Sequence, residues 1–586
     1  MENGALQFTF AIITDTHIRP PGSDESSPFP VNDLANGRAR YAVAAIARHA
    51  PAFTIHLGDM VHPLPHLPTY GAAADEALDI FRPLGDALHF VPGNHDIGDK
   101  PMAGSPAGPV TDETESLYGR FFGQGHHGFD HGDVRMVVIN SSLAGSGSEL
   151  EARQHAWLEA ELAANVGKRI FLFSHYPPFI NSADEPLHYD NYEPESRAWL
   201  LGLLKWYDVE AVFSGHVHQF FYNRHGTTKL YCLPPTSFIR QDYSELYPVE
   251  PALEYGRNDE GKFSYALVDV YEQGYRLRVI PTEGRTLEAG EAIAAPDPVA
   301  VRPARAPLTV HLRHAWAQAK DLPYNGPMEE FGRKRARDDY VLMRLWQMGI
   351  TTVRTPMSDL LDPVYGPRVQ DFAAEGIRFC LFHPGIPDAA LWQACLEHGE
   401  IISAVEFVSS TSDLLDLADG LAGFDGAGGP PVLVSKFHSS AHEPKSGSKF
   451  AHSVSPGFKW EDRDGVLATL RQADKAGAVA GVAFQLNLAD DLESRMADMD
   501  TWAAAASLRV VAVIRLAHAS PAVANFDDEA VGERVRLAVE TVSGLASVDL
   551  QLDTFADIDR SYHPRHGLVD RRSNFRAAGR WLAGQG

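Results

Sequence analysis

With 586 residues, 44% of them hydrophobic and 22% charged, the chain is too long for one ordinary core and has the composition of a globular protein of roughly two to four domains. A formal net charge of −26 argues against general affinity for nucleic-acid backbones, which demands a basic surface. Three cysteines, Cys232, Cys380 and Cys395, cannot build a disulfide framework and lack the spacing of a structural zinc site, so they read as buried thiols.

The chain opens on Met-Glu-Asn-Gly-Ala-Leu-Gln and runs directly into an apolar strand, with no basic segment followed by an apolar h-region. No uninterrupted apolar stretch is long enough to cross a bilayer. The expectation is therefore a cytoplasmic protein with no membrane partner.

Over the first 280 residues, strands and helices alternate as in a layered α/β fold. Apolar runs at Phe10–Ile13, Phe53–Leu57, Leu88–Val91, Ile170–Phe173 and Glu210–Phe213 predict buried strands. Helical periodicity covers Leu34–His49, Ala72–Leu84, Glu151–Ala164 and Glu195–Tyr207. Short alternating segments at Lys229–Leu233, Phe263–Val270 and Tyr275–Ile280 suit further strands, and two face-to-face sheets with helices outside account for the count.

Each of the five apolar runs is followed by a short polar block: Asp15-Thr-His17, Gly58-Asp59, Gly93-Asn94-His95-Asp96, Ser174-His175 and Gly215-His216-Val-His218. Ends of strands are where α/β proteins build sites. The blocks hold two aspartates, one asparagine and four histidines that could ligate a metal, a mixture of hard oxygen and imidazole nitrogen that suits zinc, manganese or iron and not calcium. One bridging carboxylate can serve two cations about 3.5 to 4 Å apart.

In this order the blocks resemble the calcineurin-like metallophosphoesterase family, with its D-x-H, GD, GNHD, H and GHxH motifs. The resemblance implies a four-layer αββα sandwich and a dinuclear centre of divalent or mixed-valence ions, Mn, Fe or Zn. Asp15, His17, Asp59 and His218 would hold one ion, Asp59 would bridge, and Asn94, His175 and His216 would complete the second. His95 would protonate the leaving group and Asp96 would orient its ring. The implied activity is hydrolysis of a small phosphodiester by a metal-bridging hydroxide. A phosphomonoesterase, and a metal-bearing scaffold or carbohydrate-binding protein with a C-terminal barrel as recognition module, are the alternatives. The partner is a small phosphate-ester substrate, and a homo-oligomer is left open.

His62, His66, His126 and His127 lie in loops and read first as solvated, with a substrate-facing role as the alternative. His188, Tyr189, Asn191 and Tyr192 fall on a segment that could overhang the metals.

Residues 286–306 are rich in Ala, Pro and Glu and read as a linker between a domain over 1–285 and another over 307–586. Beyond it eight apolar strands are predicted, at Leu308–Leu312, Thr352–Thr355, Arg378–Phe382, Ala404–Val408, Val432–Lys436, Gly481–Leu486, Arg509–Ile514 and Val548–Leu552. Helical patterns intervene, starting with Met328–Met348. This is the signature of a (β/α)8 barrel, and the closing Gly567–Arg576 segment is similar to that of barrel-fold retaining glycoside hydrolases. Such an enzyme needs carboxylates on strands four and seven. Glu406 lies on the fourth strand, but the seventh supplies none, so a noncatalytic binding role is expected. Arg354, His383, Lys436, His438, Gln485, Asn487, Arg515, His518 and Asp553 fall at or near strand ends.

Overall fold

The computed structural model describes residues 4–20, 22, 27–293, 308–323, 333–409, 420–421, 428–438, 455–472, 479–516, 527–557 and 566–584. The chain forms two compact units, one of Met1–Asp297 with Ala319–Tyr340 and the other of Pro298–Gln318 with Val341–Gly586. Within the span 307–586, residues 319–340 thus pack with the first unit. Most of the expected linker, residues 294–306, lies outside the described residues.

The first unit is an α/β sandwich of two sheets. One runs β11 (Tyr275–Pro281), β10 (Ser264–Tyr271), β1 (Leu6–Ile13), β2 (Thr54–His56), β3 (Leu88–Phe90). The other runs β4 (His127–His131), β5 (Val134–Val138), β6 (Arg169–Phe173), β7 (Ala211–Ser214), β9 (Thr228–Cys232), β8 (Phe221–His225). Strands β1 to β3 are mutually parallel, as are β5 to β7, so the loops that leave them gather at one edge of each sheet. The inner layer is aromatic: Phe10 of β1 meets Phe171 and Phe173 of β6, each at 6.0 Å between ring centroids, and Phe213 of β7 at 6.3 Å. Helices Ala35–Arg48 and Tyr70–Phe81 bury their apolar faces with the first sheet, and Glu149–Ala164 and Pro194–Trp206 with the second. Strands β4 (HGFDH) and β8 (FYNRH) are five residues each and hold no continuous apolar run, so neither is among the expected strands.

In the second unit eight parallel strands close on themselves. The order is β12 (Leu308–His311), β15 (Thr352–Pro356), β16 (Arg378–Pro384), β17 (Ile402–Ser409), β18 (Val432–His438), β20 (Gly481–Leu486), β21 (Arg509–Arg515) and β22 (Val548–Asp553), which pairs back to β12. All eight expected strands are present, with Ser455–Pro456 (β19) as a short antiparallel addition to β18. Cys380, Ala404, Leu433, Ala483, Val511 and Val513 form an apolar cluster.

The span 328–348, expected as one helix, divides differently. Residues 324–332 lie outside the described residues, Lys334–Ala336 (β14) pairs antiparallel with Lys320–Leu322 (β13), and the helix occupies only Tyr340–Met348. Burial alternates from Lys334 to Ala336, with Arg335 exposed, so tertiary burial at period two overrides the helical pattern. His518 and the side chain of His438 lie outside the described residues.

Glu406 does not stand free for chemistry. Its carboxylate accepts both Nε and Nη2 of Arg354, at 2.5 and 3.0 Å, and both side chains are buried. Asp553 is likewise engaged by Arg313, at 2.5 and 3.0 Å. Among the described residues no helix is long and apolar enough to cross a membrane.

Candidate metal centre

Every one of the five blocks leaves the end of a strand, and the seven ligand-type side chains come together in the first unit, all but fully buried. The local chain pays for this in backbone conformation. Asp15, His17, Asp59, His216 and His218 all have positive φ, between 46° and 66°, a region that non-glycine residues enter only when the surroundings hold them there. Backbone hydrogen bonds do the holding: Asp15 N–H to Gly58 O at 3.1 Å, His17 N–H to Asp59 O at 3.0 Å and Gly215 N–H to His175 O at 2.9 Å. Two glycines keep the loops in contact. A Cβ at Gly93 would lie 2.1 Å from Asp59 N, and one at Gly215 would lie 2.1 Å from Thr14 Oγ1.

Two ligand groups share one carboxylate. Asp15, His17, Asp59 and His218 offer four ligand atoms within 4.8 Å of one another, and Asp59 forms a second group with His175 and His216 on the same criterion. Asn94 joins the second group through Oδ1, 3.1 Å from His175 Nε2 and 3.0 Å from His216 Nδ1. Its amide nitrogen donates to Tyr189 Oη at 3.2 Å, which turns the oxygen inward.

The histidine tautomers follow from their outer contacts. His175 donates from Nδ1 to Leu57 O at 2.8 Å, and His218 donates from Nδ1 to Phe238 O at 2.5 Å. Each therefore turns Nε2 inward. That of His218 lies 3.0 Å from His17 Nε2 and 3.3 Å from Asp15 Oδ1, and that of His175 lies 3.3 Å from Asp59 Oδ1. Imidazole nitrogens and carboxylate oxygens converge on each group, a set of atoms whose chemistry suits divalent cations. The electrostatics agree. Burial pushes the Asp59 carboxyl up, but His175, His95 and His17 pull it well below the usual carboxylate range. Burial opposes a charged His175, yet Asp59 and Asp15 lift it to about 9. This pocket draws positive charge.

His95 sits beside the first group, its ring centroid 4.7 Å from that of His17 in an edge-on arrangement. Its Nδ1 donates to His62 O at 2.5 Å, and its backbone N–H donates to Asp59 Oδ1 at 2.9 Å. Asp96 does not orient that ring, contrary to expectation. Its two oxygens accept the backbone N–H groups of Asp59 and Gly93 (2.7 and 2.9 Å) and of Met60 and Val61 (2.9 and 3.3 Å). Spacing alone cannot distinguish a carboxylate aimed at a side chain from one aimed at a loop's backbone.

Residues 8–220 match the family model for calcineurin-like phosphoesterases. The chain carries a calcineurin-like metallophosphoesterase domain. Serine/threonine-protein phosphatase CPPED1 of Danio rerio is 31% identical to the chain over 177 residues, 29% of this chain and 54% of that protein. A probable cyclic nucleotide phosphodiesterase of Rhodococcus erythropolis is 28% identical over 171 residues, 29% of this chain and 53% of that protein. The chain thus spans about half the length of the curated relatives it matches. Among solved structures, a purple acid phosphatase from yellow lupin aligns at 16% identity, over 49% of this chain and 53% of that one, with a TM-score of 0.36.

Other loop residues of the phosphoesterase domain sort by position. His62 packs near the site, its ring 5.5 Å from that of His17 and 5.4 Å from that of His95, whereas His66 is exposed. His126 and His127 line a separate cleft with Trp157 and Arg135. His188, Asn191 and Tyr192 are buried and serve the loop itself: Glu185 accepts from His188 Nε2 and Asn191 Nδ2. Tyr189 of that segment touches a ligand-type residue, accepting from Asn94. Lys100, Asp190, Arg240 and Lys334 were not anticipated at all. Nothing in a lone buried charge marks it before its partner is known.

Proposed function

We propose that the phosphoesterase domain hydrolyses a small phosphodiester at a dinuclear metal centre. Asp15, His17, Asp59 and His218 hold one ion, and Asp59, Asn94, His175 and His216 hold the other. The observation that carries this reading is the pair of ligand groups sharing Asp59, with imidazole nitrogens and carboxylate oxygens converging on each. When bound, the two cations supply charge neutralisation for the phosphate and bring the ionisation of water close to neutral pH.

The protein's own groups do the rest. The carbonyl of His62 fixes the His95 ring through Nδ1, which leaves Nε2 as the atom that passes a proton to the departing oxygen. Neutral imidazoles surround that edge of the site, since burial lowers His62 to about 3 and takes His17 well below its usual value. The two arginines that act on His62 are already engaged, Arg19 by Asp33 and Arg257 by Gln241 and Asn32. The relative named as a probable cyclic nucleotide phosphodiesterase supports a diester.

The relatives named as serine/threonine-protein phosphatases favour a second reading, a phosphomonoesterase. The two separate on matched aryl phosphodiester and phosphomonoester substrates with manganese-loaded protein. Faster turnover of the diester supports the first reading, and faster turnover of the monoester replaces it with the second.

A further inference from the structure

Behind the GHVH loop lies a buried ionic network that the catalytic proposal does not use. His216 turns Nδ1 toward the ligand group and leaves Nε2, a buried atom with no hydrogen-bond partner among the described residues, facing Asp190 Oδ1 at 3.6 Å, within ion-pair but beyond hydrogen-bond distance. Asp190 is fully buried and is held by three donors: Arg240 in an ion pair, Lys334 Nζ at 2.6 Å and Tyr243 Oη at 2.8 Å. Lys334 also pairs with Asp242, which lies 3.6 Å from Arg240 Nη2. Two carboxylates and two cations are thus enclosed together, with Lys334 only 3% exposed. The loop that carries Asp190 is anchored from the other side by Lys100, whose Nζ donates to the carbonyls of His188, at 2.7 Å, and Asn191.

Lys334 reaches this place from far along the chain. It belongs to the hairpin of β13 and β14, which in sequence lies between the first strand of the barrel and its first helix yet packs with the phosphoesterase domain. Leu322 and Ala336 of the hairpin join an apolar cluster with Val217, the residue between His216 and His218, and with Phe221, Tyr243 and Leu246. Arg337 then donates to the carbonyls of Asn181 and Tyr222 at 3.0 and 2.9 Å, and Asp339 accepts the backbone N–H of Tyr222 at 2.9 Å.

Resting on the dinuclear reading above, we infer that Lys334 is a positioning residue for the metal ion held by His216, acting through Asp190, and that the paired strands β13 and β14 are part of the metal centre's support. A carboxylate behind a ligating imidazole fixes the ring and raises its basicity, and loss of such a partner typically costs about 10- to 100-fold in metal affinity. Without Lys334, Asp190 would keep Arg240 and Tyr243 but lose the cation that ties it to Asp242, and its carboxylate would be held less firmly beside the imidazole.

The test is calorimetric titration of chelator-stripped, full-length protein with Mn²⁺, for the native chain and for Lys334→Met, Lys334→Arg and Asp190→Asn. The native chain takes up two ions. Lys334→Met and Asp190→Asn lose about 10- to 100-fold in affinity for one ion and keep the other, while Lys334→Arg, which can still bridge both carboxylates, recovers most of the loss. A folded Lys334→Met protein that binds both ions as the native chain does overturns the inference, even if its thermal midpoint falls, since a merely structural role moves the midpoint alone. Should Lys334→Met fail to fold, unchanged affinities in Asp190→Asn overturn it equally. A native chain that binds no Mn²⁺ removes the dinuclear reading and this inference with it, an outcome distinct from the others.

Discussion

The Asp96 carboxylate accepts the backbone N–H of Asp59 at 2.7 Å, while Asp59 Oδ1 accepts the backbone N–H of His95 at 2.9 Å. The residue that both ligand groups share is thus pinned through its main chain by one neighbour and through its side chain by the next. With four N–H groups converging on Asp96, asparagine cannot replace it, because an amide presents donors where two of them arrive. Asp96→Asn should lose about 1–3 kcal/mol for each N–H left unpaired, read as a lower urea midpoint at unchanged slope. An unmoved midpoint would refute this account of the loop.

His95 should matter most where the leaving oxygen is a poor one. His95→Ala is expected to slow an alkyl ester by about 10² to 10⁴ and an activated aryl ester far less, because the latter departs without a proton. Steady-state rates on a matched pair decide it: equal losses on both substrates would assign His95 to binding and not to proton transfer.

How much of this was legible beforehand can be argued from particular residues. The five blocks were readable because each follows a run of apolar residues long enough to mark a buried strand, and the spacing within D-x-H and GHVH is local. The eight barrel strands were readable for the same reason. The role of Asp96 was not, because three of its four main-chain partners lie 35 to 37 residues away. Nor was the hairpin: β13 and β14 are three residues each, and Lys334 meets Asp190 across 144 residues of sequence. Short strands and distant ion pairs leave no periodicity to detect.

A buried neutral histidine behind the site gives a pH signature. Burial lowers His56 from 6.5 to about 3, and its ring sits between Thr16 Oγ1 at 3.0 Å and the N–H of Gly58 at 3.2 Å. Between these values the unfolded chain binds the proton and the folded chain does not, so stability falls as pH drops from about 6.5 toward 3. His56→Gln removes that contribution. Urea unfolding of chelator-treated protein at a series of pH values should show a shallower acid loss for the variant, and parallel curves would contradict the assignment.

The central claim is that two ions on a shared Asp59 support hydrolysis. Titrating metal-free protein with Mn²⁺ while following turnover of an aryl phosphodiester tests it most directly. The predicted result is a rate that climbs to a plateau at two equivalents of metal and vanishes on chelation. Turnover that is complete at one equivalent, or unaffected by removing metal, would contradict the dinuclear account.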